Sequence, residues 1–405
     1  MTKKNPIKSK KIVFVGLSGG VDSSVSAALL QQATPNNFEK LFGRPTPKGF
    51  RGYDVVGVFI RTWHPDFIEC NEEEERKDAM RVAAHLDIPF LTFDLEEEYK
   101  KGVADYMISE YKKGRTPNPD VMCNKEVKFG AFLSKALSMG ADFVATGHYA
   151  VKKEKSTFWN GLAERNREEN RGPDKKNFSS FLLKSNDPSK DQVYFLWTLN
   201  QERLSKILFP IGHLKKTEVR KLATKFKLPV SEKKDSQGIC FLGDIDLKDF
   251  LKHYIKEKKG KVLNIEGEEI GSHDGAVFHT LGERHGFTIT KKSPNDGAYY
   301  VVAKDLEKNI LVVSQDKNLV KKRSDLKENN FSISLDNVNW VNDIPQENKK
   351  YTAQIRYHGE FLPCTVTCKS KALAEVVFDN PVLVAPGQSV VLYDKDTVLG
   401  GGVVV

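Results

Sequence analysis

The feature that most constrains this fold is an alternation in the first 150 residues, where short β-branched runs are separated by segments of helical spacing. Residues 11–15 read as a strand. After a glycine-bearing turn, Val21, Val25, Ala28 and Leu29 recur at i, i+4, i+7 and i+8, which places them on one helical face. Further strands are expected at 55–60, 91–93 and 143–146. Between them, 72–86 reads as a helix with Ala79, Val82, Ala83 and Leu86 inward, and its leading carboxylates suit the helix dipole. A polar helix then runs through about residue 111. Strands separated by helices predict a doubly wound parallel sheet covered on both faces. Ligands of such sheets sit beyond the carboxyl ends of the strands, which directs attention to the loops after Val15, Ile60 and Thr146.

Two stretches interrupt the pattern. Residues 33–53 carry Pro, Gly and Asn without periodicity and read as an elaborated surface loop. Residues 152–177 are nearly all charged or polar and read as the tip of an expanded hairpin between strand-like pieces at 148–151 and 181–184. Beyond KEKKGK (256–261) the helical spacing stops. Short strands and Gly-rich turns follow, at 299–303 and 310–314, then a Lys-rich connector over 316–330, then runs at 351–357, 373–378, 390–393 and 398–405. The expectation is an α/β chain whose N-terminal doubly wound domain (1–250) precedes a small central β-rich domain (251–318) and a C-terminal β-barrel (319–405).

Lys plus Arg number 63 against 54 Asp plus Glu, so the +9 balance suits a polyanionic partner, although surface solubility alone produces such an excess. No apolar run approaches the ~20 residues of a membrane helix. The start, MTKKNPIKSKK, lacks the apolar core of a secretory signal, so a cytoplasmic protein is expected. Five cysteines do not make a disulfide scaffold in a chain of 405 residues. Cys364 and Cys368 lack the partners of a metal site and read as strand residues.

Three motifs carry chemistry. Ser18-Gly19-Gly20-Val21-Asp22-Ser23-Ser24 lies at the first strand–helix junction, where successive N–H groups and the helix N-terminus can bind phosphate. No Gly-Lys-Ser/Thr follows, so it is not a Walker loop. In Thr116-Pro117-Asn118-Pro119-Asp120-Val121-Met122-Cys123-Asn124-Lys125, two prolines and two Asx residues lead into a helix. Cys123 stands near that helix start and near Lys125, surroundings that favour thiolate. Such a polar loop suits an exposed reactive thiol better than a buried structural one. Asp120 reads as a helix cap, a proton-handling carboxylate, or both. In Asp235-Ser236-Gln237-Gly238-Ile239-Cys240, a second cysteine follows a flexible polar stretch. Two reactive thiols with a phosphate loop describe sulfur transfer, one sulfur carrying a persulfide and the other resolving it.

SGGVDSS resembles the signature of the PP-loop ATP pyrophosphatases, which hold the pyrophosphate of ATP and activate an acceptor oxygen by adenylation. With the two cysteine motifs, and with Ala145-Thr146-Gly147-His148-Tyr149, Lys190-Asp191-Gln192, Ala385-Pro386-Gly387-Gln388 and Val398-Leu399-Gly400-Gly401-Gly402, the chain resembles the tRNA-specific 2-thiouridylases over nearly its whole length. The resemblance implies a PP-loop ATPase-type sheet and ATP held by Gly16, Leu17, Ser18, Gly19, Gly20, Val21, Asp22 and Ser23, with Ile60 and Gly147. Mg²⁺ comes with the nucleotide, and no permanently bound metal is expected. It implies Asn118, Pro119 and Asp120 at the target base with His148 close by. It implies tRNA contacts from Lys190, Asp191, Gln192, Arg356, Tyr357 and Gln388. It gives Cys240 as the persulfide carrier, Cys123 as the nucleophile, and a disulfide between them after sulfur delivery. Its implied partners are tRNA and a persulfide sulfur-carrier protein, and nothing demands more than a monomer. From the residues alone, His148 reads equally as a structural histidine, and Arg356 and Tyr357 read as alternating faces of a strand. A PP-loop enzyme adenylating a small carboxylate, needing neither thiol, and a tRNA-binding protein without catalysis are the rival readings.

Overall fold

The computed structural model describes residues 10–68, 71–156, 178–235, 246–291, 296–316 and 332–405. The N-terminal part contains β1 (Lys11–Gly16), β2 (Tyr53–Arg61), β3 (Phe90–Asp94), β4 (Phe143–Ala145), β5 (Val151–Ser156), β6 (Phe178–Leu183) and β7 (Ile207–Leu208). Five of these form a parallel sheet in the order β3-β2-β1-β4-β7. Alternation along β1 divides the core in two. Val13 and Val15 pack with Val25 and Leu29 of the helix Val21–Gln31 and with Val82. Phe14 faces the other way, onto Val58, Ile60, Phe93, Tyr99 and Phe132. The sheet is therefore covered on both faces, as expected, and the helix Glu72–His85 buries Ala79, Val82 and Ala83. The chain leaves β1 on one side of the sheet for β2 and returns on the other for β4. This reversal opens a crevice at the carboxyl ends of β1 and β4, where the loop 16–20 lies.

Residues 33–53 are more than a surface loop. They contain the helix Phe38–Phe42, whose Phe38 is fully buried and meets Phe42 and Phe50 at ring-centroid distances of 4.7 and 4.6 Å. Each such side chain stabilises the fold by about 1.5–3 kcal/mol, which fixes the insertion against the sheet. The expected hairpin is present, β5 pairing antiparallel with β6, while its tip, 157–177, lies outside the described residues. Its base joins the C-terminal sheet, through Thr397↔Leu183 and a bond from Lys184 N to Asp396 O at 2.9 Å.

The central unit is a five-stranded sheet in the order β10-β9-β8-β12-β11, from β8 (Gly260–Leu263), β9 (Glu269–His273), β10 (Phe287–Ile289), β11 (Tyr300–Asp305) and β12 (Ile310–Ser314). The last unit comprises β13 (Ser332–Trp340), β14 (Tyr351–Gln354), β15 (Leu362–Cys368), β16 (Ala374–Phe378), β17 (Ser389–Asp394) and β18 (Thr397–Val404). They pair as β13-β16-β15-β14-β17-β18, and β18 returns to β13, closing a barrel without free edges. Cys364 lies in its core with Leu335, Val366, Val376 and Leu392, where burial pushes the thiol up to about 12. That position accounts for Cys364 without a metal. The barrel is bolted to the first domain by Asn339 Nδ2, which donates to Trp197 O at 2.7 Å and Leu199 O at 3.0 Å.

Candidate active site

The loop after β1 lies at the strand–helix junction its sequence suggested. Gly19 takes φ +69°, and the helix begins directly after Gly20. Ser23 Oγ accepts from Ser18 N at 3.3 Å and donates to Gly20 O at 3.1 Å, while Ser24 Oγ donates to Gly20 O at 2.7 Å. These bonds fold the loop over the helix N-terminus, whose first N–H groups and positive dipole end suit an anion. The loop after β4 closes the other wall. Gly147 approaches so near that a Cβ there would lie 2.6 Å from Ser23 N and 2.8 Å from Asp22 C, so glycine is required. Leu17 N donates to Val58 O at 2.8 Å, tying the loop to β2, and Ile60 stands two residues further on, buried beside Gly16.

A cluster of charges on the rim of this loop was not foreseen. Lys216 Nζ donates to Asp22 Oδ1 at 2.8 Å and to Oδ2 at 2.9 Å, and it also lies 2.7 Å from Asp235 Oδ1. Lys190 Nζ and Arg220 Nη2 reach the same Asp235 at 2.8 and 2.7 Å. Burial raises the Asp235 carboxyl, but the hydrogen bonds and charges of Lys190 and Lys216 outweigh it and hold it far below the ordinary value. Tyr149 donates to Asp22 Oδ1 at 2.9 Å, and burial followed by the Asp22 charge pushes its phenol far up. Three cations (Lys190, Lys216, Arg220) thus meet two carboxylates (Asp22, Asp235), and a third carboxylate, Asp187, accepts from Lys216 N at 2.8 Å. No local spacing announces this, because Lys216 and Arg220 belong to a surface helix, Lys216–Lys225, and meet the loop only through the tertiary fold.

The second motif folds as expected at its start and differently at its end. Asn118 Oδ1 accepts from Val121 N at 3.1 Å and caps the short helix Pro119–Met122, with Pro119 at its first position and Asp120 in its first turn. A π-helical stretch, Cys123–Ala131, continues it. Here an expectation is corrected. Cys123 is not an exposed thiol: its accessibility is 0% and it packs in the core with Val121, Val127 and Phe129. The i, i+4 spacing of Cys123 and Val127 turns the thiol side of the helix inward, whatever the polarity of the preceding loop. From Cys123 this helical run leads to Phe132, whose ring lies 3.7 Å from the Cβ position of Gly16. Cys240 lies outside the described residues.

The remaining sites divide into inward and outward groups. His148 is buried, its Nδ1 paired with Thr146 Oγ1 at 2.8 Å and its ring 5.6 Å from Phe129; burial and then the Lys128 charge lower its pKa well below the ordinary value. It therefore buttresses the β4 loop as a neutral ring. Gln192 clamps the main chain of Tyr149, its Oε1 accepting from Tyr149 N and its N donating to Tyr149 O, both at 3.0 Å. Asp191 Oδ1 accepts from Ser185 N and Val193 N, and burial raises its carboxyl to about 6. Arg356 and Tyr357 are not on a strand, since β14 stops at Gln354 and a turn follows with His358 at φ +56°. Arg356 is exposed, while the Tyr357 ring packs against Phe195 at a centroid distance of 4.4 Å, tilted by 45°. Burial, then the Asp191 and Asp120 charges, push the Tyr357 phenol up to about 12, so this turn of the barrel adjoins the Asn118–Asp120 loop. Asp191, Tyr357, His358, Lys184 and Asn186 line a cavity of about 300 Å³ beside it.

A parallel sheet with a serine- and glycine-rich anion loop at its switch point, joined to two β units, defines a class that matches three family descriptions in succession. These are the "tRNA methyl transferase HUP domain" over 11–42 and 49–244, the "tRNA methyl transferase PRC-barrel domain" over 248–315 and the "Aminomethyltransferase beta-barrel domain" over 331–404. The tRNA-specific 2-thiouridylase MnmA of Streptococcus thermophilus is 40% identical, covering 98% of this chain and 95% of its own. That of Lacticaseibacillus paracasei is 42% identical, covering 97% and 93%. MnmA 1 of Geobacillus kaustophilus is 42% identical, covering 98% and 95%. The chain belongs to the tRNA-specific 2-thiouridylase family, and it is a tRNA sulfurtransferase.

Proposed function

We propose that the enzyme replaces the C2 oxygen of the wobble uridine of tRNA by sulfur, using ATP to activate that oxygen and a persulfide to supply the sulfur. The observation that carries this is that the helical run following Asn118 packs on both walls of the loop after β1: the Phe132 ring lies beside Gly16, and Phe129 lies 5.6 Å from His148, next to the Gly147 that meets Ser23. The loop 16–23, Ile60 and Gly147 hold ATP, and Lys216 and Lys190 exchange Asp22 and Asp235 for its phosphates. Mg²⁺ accompanies the nucleotide and supplies charge neutralisation of the phosphates, with Asp22 the loop carboxylate nearest to such a complex.

Asn118, Pro119 and Asp120 receive the extruded uracil, which an anticodon loop presents at low unstacking cost. Asp120 accepts the N3 proton as O2 attacks the α-phosphorus and pyrophosphate leaves. The sulfane sulfur of a Cys240 persulfide becomes bonded to C2, AMP departs, and the proton returns to N3. Cys123 thiolate takes the bond to Cys240 Sγ, so two thiols supply the two electrons that reduce the sulfane sulfur and end as a disulfide. A thiol reductant resets that disulfide, and a persulfide sulfur-carrier protein reloads Cys240. Cys123 is fully covered, so this reading requires the 117–122 segment to shift when RNA enters.

Arg356, Lys190 and the neighbouring turn contact the anticodon arm, with the enzyme acting as a monomer in the cytoplasm. An ATP- and sulfur-dependent thiolation assay on transcript tRNA tests the reading. Cys123→Ser and Cys240→Ser are each expected to abolish product while tRNA binding survives, and thiolation persisting in both variants would reject the assigned roles.

A further inference from the structure

Thr116 lies two residues before Asn118 and is held by both other units of the molecule. Its N–H donates to Pro386 O at 2.7 Å, and its carbonyl accepts from Gln388 Nε2 at 2.9 Å. One turn of the barrel thus grips both main-chain polar groups of one residue, 272 positions away. Between those grips the chain at Gly387 passes so near that a Cβ would stand 2.9 Å from Thr116 N and 3.0 Å from its carbonyl carbon. The Thr116 hydroxyl meets that of Thr280, from the central unit, at 3.0 Å. The preceding Arg115 Nη2 donates to Val404 O, at the end of β18, at 2.9 Å. Thr116 and Pro117 are buried, and the proline ring leaves little freedom between this anchor and Asn118.

We propose that Gln388, besides the tRNA contact the resemblance implies for it, is a positioning residue: by holding the Thr116 carbonyl it sets where Asn118 and Asp120 meet the target base. The inference rests on the thiolation reading above and deepens it. A carboxamide N–H₂ can donate to a carbonyl, whereas a carboxylate or an alkyl group cannot. Without the donor, the buried carbonyl of Thr116 loses its partner and the loop is released on the barrel side. Misplacement of a reacting group by about 1 Å costs on the order of 10²-fold in rate. The positioning effect belongs on kcat at saturating tRNA, where the loss of an RNA contact alone does not show.

The test uses the full-length enzyme, transcript tRNA and saturating ATP, with kcat for thiolation and tRNA Kd measured separately. Gln388→Met keeps the bulk and removes the donor, and Gln388→Glu keeps the shape and removes the donor. Each is expected to lower kcat at saturating tRNA roughly 10- to 100-fold, a loss that added tRNA does not recover whatever the change in Kd. Thr280→Val removes the second grip from a different domain and is expected to lower kcat by a few-fold in the same sense. A Gln388→Met enzyme with normal kcat but clearly weakened tRNA binding would make Gln388 an RNA contact alone and overturn the inference. Normal values for both quantities would also overturn it. A wild-type enzyme that thiolates nothing would undo the functional reading itself, which separates the two failures.

Discussion

The phosphate loop and the target-base loop are built on opposite plans. Ser18, Gly20, Ser23 and Ser24 bond one another within six residues of sequence, so the anion site is nearly complete once one strand and one helix exist. The Asn118 loop has its own cap, but its anchor point at Thr116 is gripped by residues 164 and 272 positions away. The loop after β1 is therefore closed within the first domain, while the position of the Asn118 loop is set by contacts from all three. The difference teaches how order is divided in this molecule: one loop is fixed by its own residues, and the other is positioned by the added domains.

Perturbing each loop separately sharpens this contrast. The largest effect is expected at the rim. Lys216→Met removes a cation held 2.8 Å from the loop carboxylate Asp22, and loss of one such group costs roughly 10²-fold in turnover. Pyrophosphate release at varied ATP should show that loss with tRNA Kd unchanged; a selective loss of tRNA binding would break the division. The Gln388 variants follow, with a smaller loss that runs through the Asn118 loop.

The smallest effect is one of stability. Asp191 has a folded-state carboxyl raised to about 6 by burial, so the folded protein prefers it protonated. Stability from this group is complete below its unfolded value near 3.8 and is lost as pH rises through about 6. Asp191→Asn keeps an oxygen for the Ser185 and Val193 N–H groups, and is expected to stabilise the fold by about 2 kcal/mol at pH 8 and negligibly at pH 4. Denaturant melts at the two pH values check this, and equal effects at both would contradict it.

Much of the first half was legible because its signals are local. β-branched runs, the i, i+4 spacing from Val21 and the glycines of the loop each act over a few residues, and they placed both the sheet and the loop at its switch point. What was missed was tertiary. Lys216 and Arg220 carry no local signal of a site, because only the fold brings Asp22 and Asp235 to them. The 33–53 stretch did carry a signal, Phe38 and Phe42 one helical turn apart, which the surrounding Pro and Gly obscured. The strand expected through Tyr357 ends early because His358 adopts a left-handed conformation before Gly359 and turns the chain. The burial of Cys123 was readable from Val127 four residues on, but the polar Pro-Asn-Pro-Asp context argued the other way.

The central claim is that a nucleotide-activated uracil meets two cooperating sulfurs, and single-turnover mass spectrometry tests it most directly. Enzyme preloaded with one persulfide on Cys240 is mixed with ATP and tRNA without reductant, then digested under conditions that preserve disulfides. The account predicts a Cys123–Cys240 cross-linked peptide appearing in step with 2-thiouridine, one for one, and only when ATP is present. Thiouridine formed at full yield with both cysteines still reduced, or a cross-link that forms equally without ATP, would contradict it.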